Sequence, residues 1–401
     1  MRTPPGGLPS PLFPPPDALF QKGLTELEPL LRRVFPLKGK HRAQLPGGVR
    51  RLSAFLTVER DNLPPDYMTR PEYLAAYLNY FLPWNIYRQG RLLQGLGLNL
   101  PDNARILDLG AGPLTFLQAL WMACPQLRAR KLTYEGVDRA ESVLKAGRHL
   151  FEEMTTGANS SWDIVTSRQL SDRNRPRADL LVAANFINEL QDPGRGRQRR
   201  DLAEAGEESP EDSLLERWEN QVAEKGAILL IEPAMRATAR RLSFLREAAL
   251  RRGWHLAAPC PHQATCPMPG KRGGPWCHFN FKPVGVPDWL ARFSRSVRLP
   301  KERGSLSFLL LTRGMDPAGT TASRPGGLEP VRVISEPFDL PGWQQGSYGC
   351  TGQGVVLLSQ KKAAAQRKAP PQPGELLWAQ WPERPVKDPK SGAVILPETT
   401  S

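Results

Sequence analysis

Ile106-Leu107-Asp108-Leu109-Gly110-Ala111-Gly112-Pro113 joins a short apolar run to a glycine-rich turn. The run Arg105–Leu109 is too short for a helix and reads as a buried strand. Glycine at 110 and 112 lets the backbone turn tightly and approach a ligand with no Cβ in the way. A helix is expected from Leu114 to Ala123. Working outward, Lys131–Asp138 reads as a second strand and Ala140–Met154 as a helix. Trp162–Thr166, Asp179–Ala184 and Ala227–Ile231 read as further strands, and Ala237–Arg252 as a helix. Strands alternating with helices predict an α/β domain, a parallel sheet with helices on both faces.

The turn constrains its ligand. A dinucleotide-binding turn wants a third glycine where this chain has Thr115. The D-L-G-A-G form instead resembles the first motif of class I S-adenosylmethionine methyltransferases, whose Rossmann-like turn cradles the methionine and ribose of the cofactor. Asp138 ends the next strand, where a carboxylate can accept both ribose hydroxyls. The expected cofactor-binding residues are Asp108, Gly110, Ala111, Gly112, Asp138 and Asn185. After the fourth strand comes Asn185-Phe186-Ile187-Asn188-Glu189-Leu190. Amino-methylating enzymes of this fold place Asn or Asp, two prolines and an aromatic there, and that set is missing. Asn185 or Asn188 lines the pocket, or Asn188 and Glu189 cap a helix. Glu232-Pro233 lines the site or ends its strand. No residue is identified as a general base.

A second constellation is cysteine. Cys260, Cys266 and Cys277 lie in a stretch, Pro259–Pro287, without regular periodicity, and Cys350 follows later. Thiolates on loops rich in proline and glycine can converge on a metal that replaces a missing apolar core. Four thiolates suit a [4Fe–4S] cluster and also structural zinc. The spacing is neither that of a zinc ribbon nor that of a bacterial ferredoxin, and His262 and His278 are alternative ligands if zinc binds. Cys124 falls in the helix after the glycine turn and reads as a small core residue. A rival role for Cys260, as a methyltransferase nucleophile, fits less well with Cys266 and Cys277 so near.

Composition bounds the rest. With 54 Lys and Arg against 40 Asp and Glu, the net charge is +14, which favours an anionic partner, nucleic acid first. No apolar run is long enough for a membrane helix, and the Pro-rich N-terminus shows neither a secretion nor a transit pattern. A cytoplasmic protein is expected, its five cysteines serving metal or redox chemistry rather than disulfides. The 41 prolines and 35 glycines predict linkers or tails. The expected organisation is disorder over 1–16, a helical unit over 17–100, the core over 101–255 and a cysteine-rich loop over 256–300. A last core strand and a small β unit would cover 301–362, with a disordered tail over 363–401. Within the core, Pro193–Asp212 reads as a charged surface loop, and Pro83 as the break between two N-terminal helices.

These motifs together resemble the methyltransferase-like proteins associated with the small ribosomal subunit, known from mitochondria and with many bacterial members. The resemblance rests on Leu107–Pro113, Ala184–Leu190, Leu230–Pro233, Ala258-Pro259-Cys260-Pro261-His262, Cys266-Pro267, Trp276-Cys277-His278-Phe279, Ser307-Phe308-Leu309 and Cys350-Thr351. It covers about residues 50–360. Where family members carry a basic stretch before the fourth cysteine, Pro341–Tyr348 has no Lys or Arg. The resemblance implies S-adenosylmethionine binding and a [4Fe–4S] cluster on Cys260, Cys266, Cys277 and Cys350. It also implies a role in assembling the small subunit or binding its 16S rRNA. An active rRNA methyltransferase and a redox-sensing ribosome-binding module are the alternatives.

Overall fold

A computed structural model describes residues 8–59, 63–64, 67–170, 175–190, 209–313, 328–361 and 369–396. The chain forms two compact units, and each draws on separated stretches of sequence.

One unit comprises Pro14–Pro176 and Lys282–Gly304. Its helices α1 (Ala18–Val34), α2 (Gly39–Thr57), α3 (Pro71–Ala76) and α4 (Leu82–Leu96) precede the first strand. Asp17 caps α1 by accepting the Phe20 N–H at 2.8 Å. Helix α1 buries Phe20, Leu24, Leu27 and Leu31 at helical spacing. Gly90 of α4 has no side chain because the Phe20 ring fills that space. Pro83 does not separate two helices as expected. A π-helical turn, Tyr77–Phe81, carries α3 into α4, and Pro83 falls in the first turn of α4. The wider turn accommodates a ring that would clash in a regular helix interior. Helix α2 runs through Pro46, Gly47 and Gly48, residues that read as breakers. The returning segment 282–304 belongs here because the π turn and α4 hold it. The Tyr80 hydroxyl donates to Leu299 O, Trp84 Nε1 donates to Ser294 Oγ, and the Tyr87 hydroxyl donates to Val284 O, at 2.7–3.0 Å.

The same unit holds β1 (Ala104–Leu109), α5 (Thr115–Ala123), β2 (Leu132–Val137), α6 (Glu141–Met154) and β3 (Trp162–Ser167). The three strands are parallel in the order β3-β2-β1, with Asp108 opposite Gly136.

The other unit comprises residues 8–13 among the described N-terminal ones, then Arg177–Phe281 and the chain from Ser305 onward. It contains β4 (Ala178–Ala184), α7 (Pro210–Glu219), β5 (Val222–Glu232), α8 (Arg236–Arg251), β6 (His255–Ala258), β7 (Phe279–Phe281) and β8 (Gly304–Thr312). Strand order is β4-β5-β8-β6, with β4 and β5 parallel, β8 antiparallel to β5 and β6, and β7 paired to β8. A parallel run in the order 3-2-1, a parallel 4-5 pair and an antiparallel hydrophobic strand beyond it make the class I S-adenosylmethionine methyltransferase fold, Rossmann-like and α/β.

A second sheet follows: β9 (Glu329–Val333), β10 (Phe338–Leu340), β11 (Gln344–Thr351), β12 (Gly354–Lys361), β13 (Leu376–Ala379) and β14 (Val394–Leu396). Its order is β13-β9-β11-β12-β14, with β10 on β11, around Val331, Val333, Val356, Leu358 and Leu396. Two expectations are corrected. The tail beyond 363 supplies β13 and β14, whose few apolar residues complete this small core. Leu8–Pro16 is not disordered: Leu12 N–H bonds Gly374 O at 3.1 Å, and Phe13 stacks on Phe281 with centroids 4.5 Å apart. Residues 1–7, 193–208 and 397–401 lie outside the described residues.

Gly147 on α6 marks where helix and glycine turn meet. A Cβ there would stand 2.3 Å from the Pro113 carbonyl carbon, a backbone atom that cannot swing aside. Gly147→Ala should cost about 1–3 kcal/mol of stability. Urea unfolding would show a lower midpoint with an unchanged m-value.

Candidate functional site

The turn after β1 is held open by its backbone. Gly110 and Gly112 have φ of 70° and 51°, and Leu114 has φ of 54°. Gly110 and Ala111 N–H both bond Val137 O, at 2.8 and 3.1 Å. This ties the turn to the end of β2. Gly136 on β2 lacks a Cβ because Leu114 and Ala111 of the turn occupy its place. Asp138 completes the arrangement: Oδ2 accepts the Gly112 N–H at 3.0 Å and Oδ1 accepts the Ala140 N–H at 2.9 Å. The carboxylate expected to meet a ribose is thereby fixed beside the turn, half-buried, with lone pairs to spare. A Cβ on Gly112 would meet no atom within 4 Å, so the turn borders open space. These features fit the nucleoside cofactor expected from sequence.

Asp108 behaves differently. Only 1% exposed, it accepts a hydrogen bond from the Tyr134 hydroxyl through Oδ2, while buried Oδ1 has no partner among the described residues. Burial raises its carboxyl from an ordinary 3.8 to about 7, against the lowering effect of Tyr134.

Asn185 lies in the other unit, directly after β4. It takes a left-handed conformation, φ 57°, and donates its N–H to Ile231 O at 2.7 Å. Glu232 accepts the Ile187 N–H at 2.7 Å, and Arg241 donates to Ile187 O and Leu190 O at 2.7 and 2.9 Å. Asn188 and Glu189 therefore sit in a braced turn rather than at a helix start. Glu232 is the brace, a function that its strand-end position did not reveal.

The four cysteines all belong to this second unit. Cys260 follows β6, Cys266 and Cys277 flank a loop, and Cys350 lies within β11. All are free thiols. The loop is shaped by a bridge between Pro269 and Trp276, and by Arg236 stacked over Trp276 at 4.2 Å. Ser307 of β8 donates to Cys277 O at 2.9 Å. Burial, then neighbouring thiols, push Cys266 up and Cys277 and Cys350 far above the ordinary thiol range. Each of the six possible pairs is close enough for one thiol to oppose ionisation of the other. Among the described residues, no three His, Cys, Asp or Glu side chains already stand in an arrangement that would hold a metal ion. His262 comes near, with Nε2 3.5 Å from Cys350 Sγ. Burial, with Arg246 nearby, lowers its imidazolium to about 4, so the ring is neutral. His278 instead stacks on Trp276 and contacts its carbonyl. Cys124 is fully buried at the end of α5. Burial raises its thiol to about 12, as suits a core residue.

Residues 91–325 match the family described as mitochondrial small ribosomal subunit Rsm22. The chain belongs to this family. The match includes the cofactor turn, Asn185 and three of the cysteines, while Cys350 lies beyond it. No curated protein matches the chain in sequence. Several solved structures resemble it. A methyltransferase from Pyrococcus furiosus is 13% identical over 57% of this chain and 83% of its own, with TM-score 0.30. A Thiobacillus denitrificans S-adenosylmethionine-dependent enzyme with bound S-adenosylhomocysteine is 13% identical, over 58% and 91%, at 0.31. Magnesium protoporphyrin IX methyltransferase from Synechocystis is 9% identical, over 67% and 100%, at 0.34. No described helix is long and apolar enough to cross a membrane. The family description names the mitochondrion, whereas the sequence reading expected the cytoplasm.

The Asp108 carboxyl gives a pH signature. Its folded value, about 7, lies above the ordinary 3.8, so the folded chain binds this proton more tightly than the unfolded chain. Stability from this group is complete below about 4 and declines as pH rises to about 7. Asp108→Asn should remove that decline, a difference on the order of a few kcal/mol across the window. Denaturant unfolding of cofactor-free protein at stepped pH would measure it.

Proposed function

We propose that this chain binds S-adenosylmethionine at the Gly110–Gly112 turn and carries a [4Fe–4S] cluster on Cys260, Cys266, Cys277 and Cys350. It acts on the small ribosomal subunit as an assembly factor that binds 16S rRNA. The observation that carries this reading is the mutual neighbourhood of four thiols, Cys350 buried and Cys260, Cys266 and Cys277 half-buried, in a chain of the small-subunit family. The glycine turn with its fastened acid supports the cofactor. The +14 charge supports the RNA.

In this reading Asp138 accepts the ribose hydroxyls, and the turn backbone lies against the cofactor. When bound, S-adenosylmethionine supplies a methyl group on a sulfonium, an electrophile whose transfer to a base or ribose would depend on positioning. The four cysteines hold the cluster as thiolates, which requires that binding displace their protons. Zinc on the same thiolates is the alternative metal.

Anaerobic purification with iron, sulfide and zinc analysis tests the metal. About four irons per chain are expected, and zinc without iron would replace the cluster by a structural ion. Titration calorimetry tests the cofactor: Asp138→Ala should weaken S-adenosylmethionine binding on the order of 10- to 100-fold. Binding to small subunits should fall steeply between low and physiological salt, and no binding at low salt would defeat the ribosomal reading. Transfer of labelled methyl to rRNA, lost in Asp138→Ala, would make the chain an active methyltransferase.

A further inference from the structure

Arg332 in β9 is 1% exposed. Its Nε donates to Pro259 O at 3.0 Å, and Nη1 donates to Pro9 O and Gly374 O at 2.8 and 2.7 Å. Nη2 is buried without a hydrogen-bond partner among the described residues. These carbonyls satisfy donors but supply no negative charge. The ionisable groups that face Arg332 are Cys260 and Cys350; Cys350 stands directly opposite it on β11. A second guanidinium, Arg246 of α8, is 2% exposed. Its Nε lies 3.4 Å from Cys260 Sγ, and Nη2 donates to His262 O and Ala264 O. Nη1 pairs with Glu247, which also accepts the Cys266 N–H at 3.3 Å.

Among the described residues, Arg246 is thus paired with the Glu247 carboxylate, whereas the ionisable groups facing Arg332 are thiols. Isolating a charge from water costs several kcal/mol unless an anion compensates it. Neutral thiols carry no negative charge to offset the two guanidiniums, although Cys260 Sγ lies 3.4 Å from Arg246 Nε and Cys350 stands opposite Arg332. A metal group that replaces the thiol protons fixes four thiolates in place. On a dicationic core they leave a net charge of about −2, the complement of this cationic setting.

We propose that Arg246 and Arg332 are built-in counter-cations of the thiolate-ligated metal group, positioning residues that set how firmly it is retained and how readily it accepts an electron. The inference rests on the metal reading above. One-electron reduction by dithionite adds a negative charge to a cluster, so a neighbouring cation raises its midpoint potential.

The test uses the full chain, purified anaerobically, with Arg332→Gln, Arg332→Lys, Arg246→Gln and Arg246→Lys. The Gln variants should lose metal to a chelator on the order of tenfold faster than wild type, and their clusters should titrate at lower potential. The Lys variants, which keep the charge but not the fork, should stay near wild type. Folded Gln variants with wild-type retention and midpoint would overturn the proposal. So would Lys and Gln variants equally impaired, since the hydrogen bonds would then matter and not the charge. Should Arg332→Gln fail to fold, the Arg246 pair decides. If the wild type holds zinc, which accepts no electron, retention decides. Wild type without any metal overturns the metal reading and this one together, whereas metal-replete wild type with indifferent Gln variants overturns this one alone.

Discussion

Cations buried with too little carboxylate are the constraint on which the cysteine-bearing unit depends. Arg332 and Arg246 are sealed from water, and between them they have Glu247 and four thiols. Their carbonyl bonds tie the segment before Cys260, the loop after it, the N-terminal arm at Pro9 and the turn at Gly374 to one place. An apolar core of that size would need residues this stretch lacks: Pro259–Pro287 is rich in proline, glycine and polar side chains. Buried charge and hydrogen bonds to backbone carbonyls take the place of hydrophobic burial there.

The unit with the glycine turn handles buried charge by another route. Asp108 has a tyrosine hydroxyl for a neighbour, and burial drives its carboxyl toward neutrality. Asp138, half-buried and bonded to two backbone N–H groups, is held as an acceptor. Two carboxyls near one turn thus have opposite environments. The buried one braces β1 against β2, and the outer one remains available for a ligand's hydroxyls.

Much of this was legible in the sequence. Glycine spacing, the acid ending β2 and short apolar runs predicted the Rossmann-like core, because strand burial and tight turns need those residue types wherever they occur. The cysteines stood out for the same reason. What stayed hidden depends on distant partners. Helix α2 passes through Pro46-Gly47-Gly48, and the π turn before Pro83 absorbs a break that local rules place there. Strands β13 and β14 are short and flanked by prolines, and gain their identity by completing the β9–β12 sheet. Arg246 and Arg332 look like two of many surface arginines in a basic chain. Only the fold shows both buried beside the same thiol.

The four cysteines also join parts of the chain that sequence keeps far apart. Cys260, Cys266 and Cys277 leave the large sheet on one loop, whereas Cys350 is fixed in β11 of the second sheet. Closing so long a loop carries an entropic cost that grows only slowly with its length, so a single strongly bound group can offset it. Arg332 extends the link, because the guanidinium that faces Cys350 also holds Pro9 and Gly374.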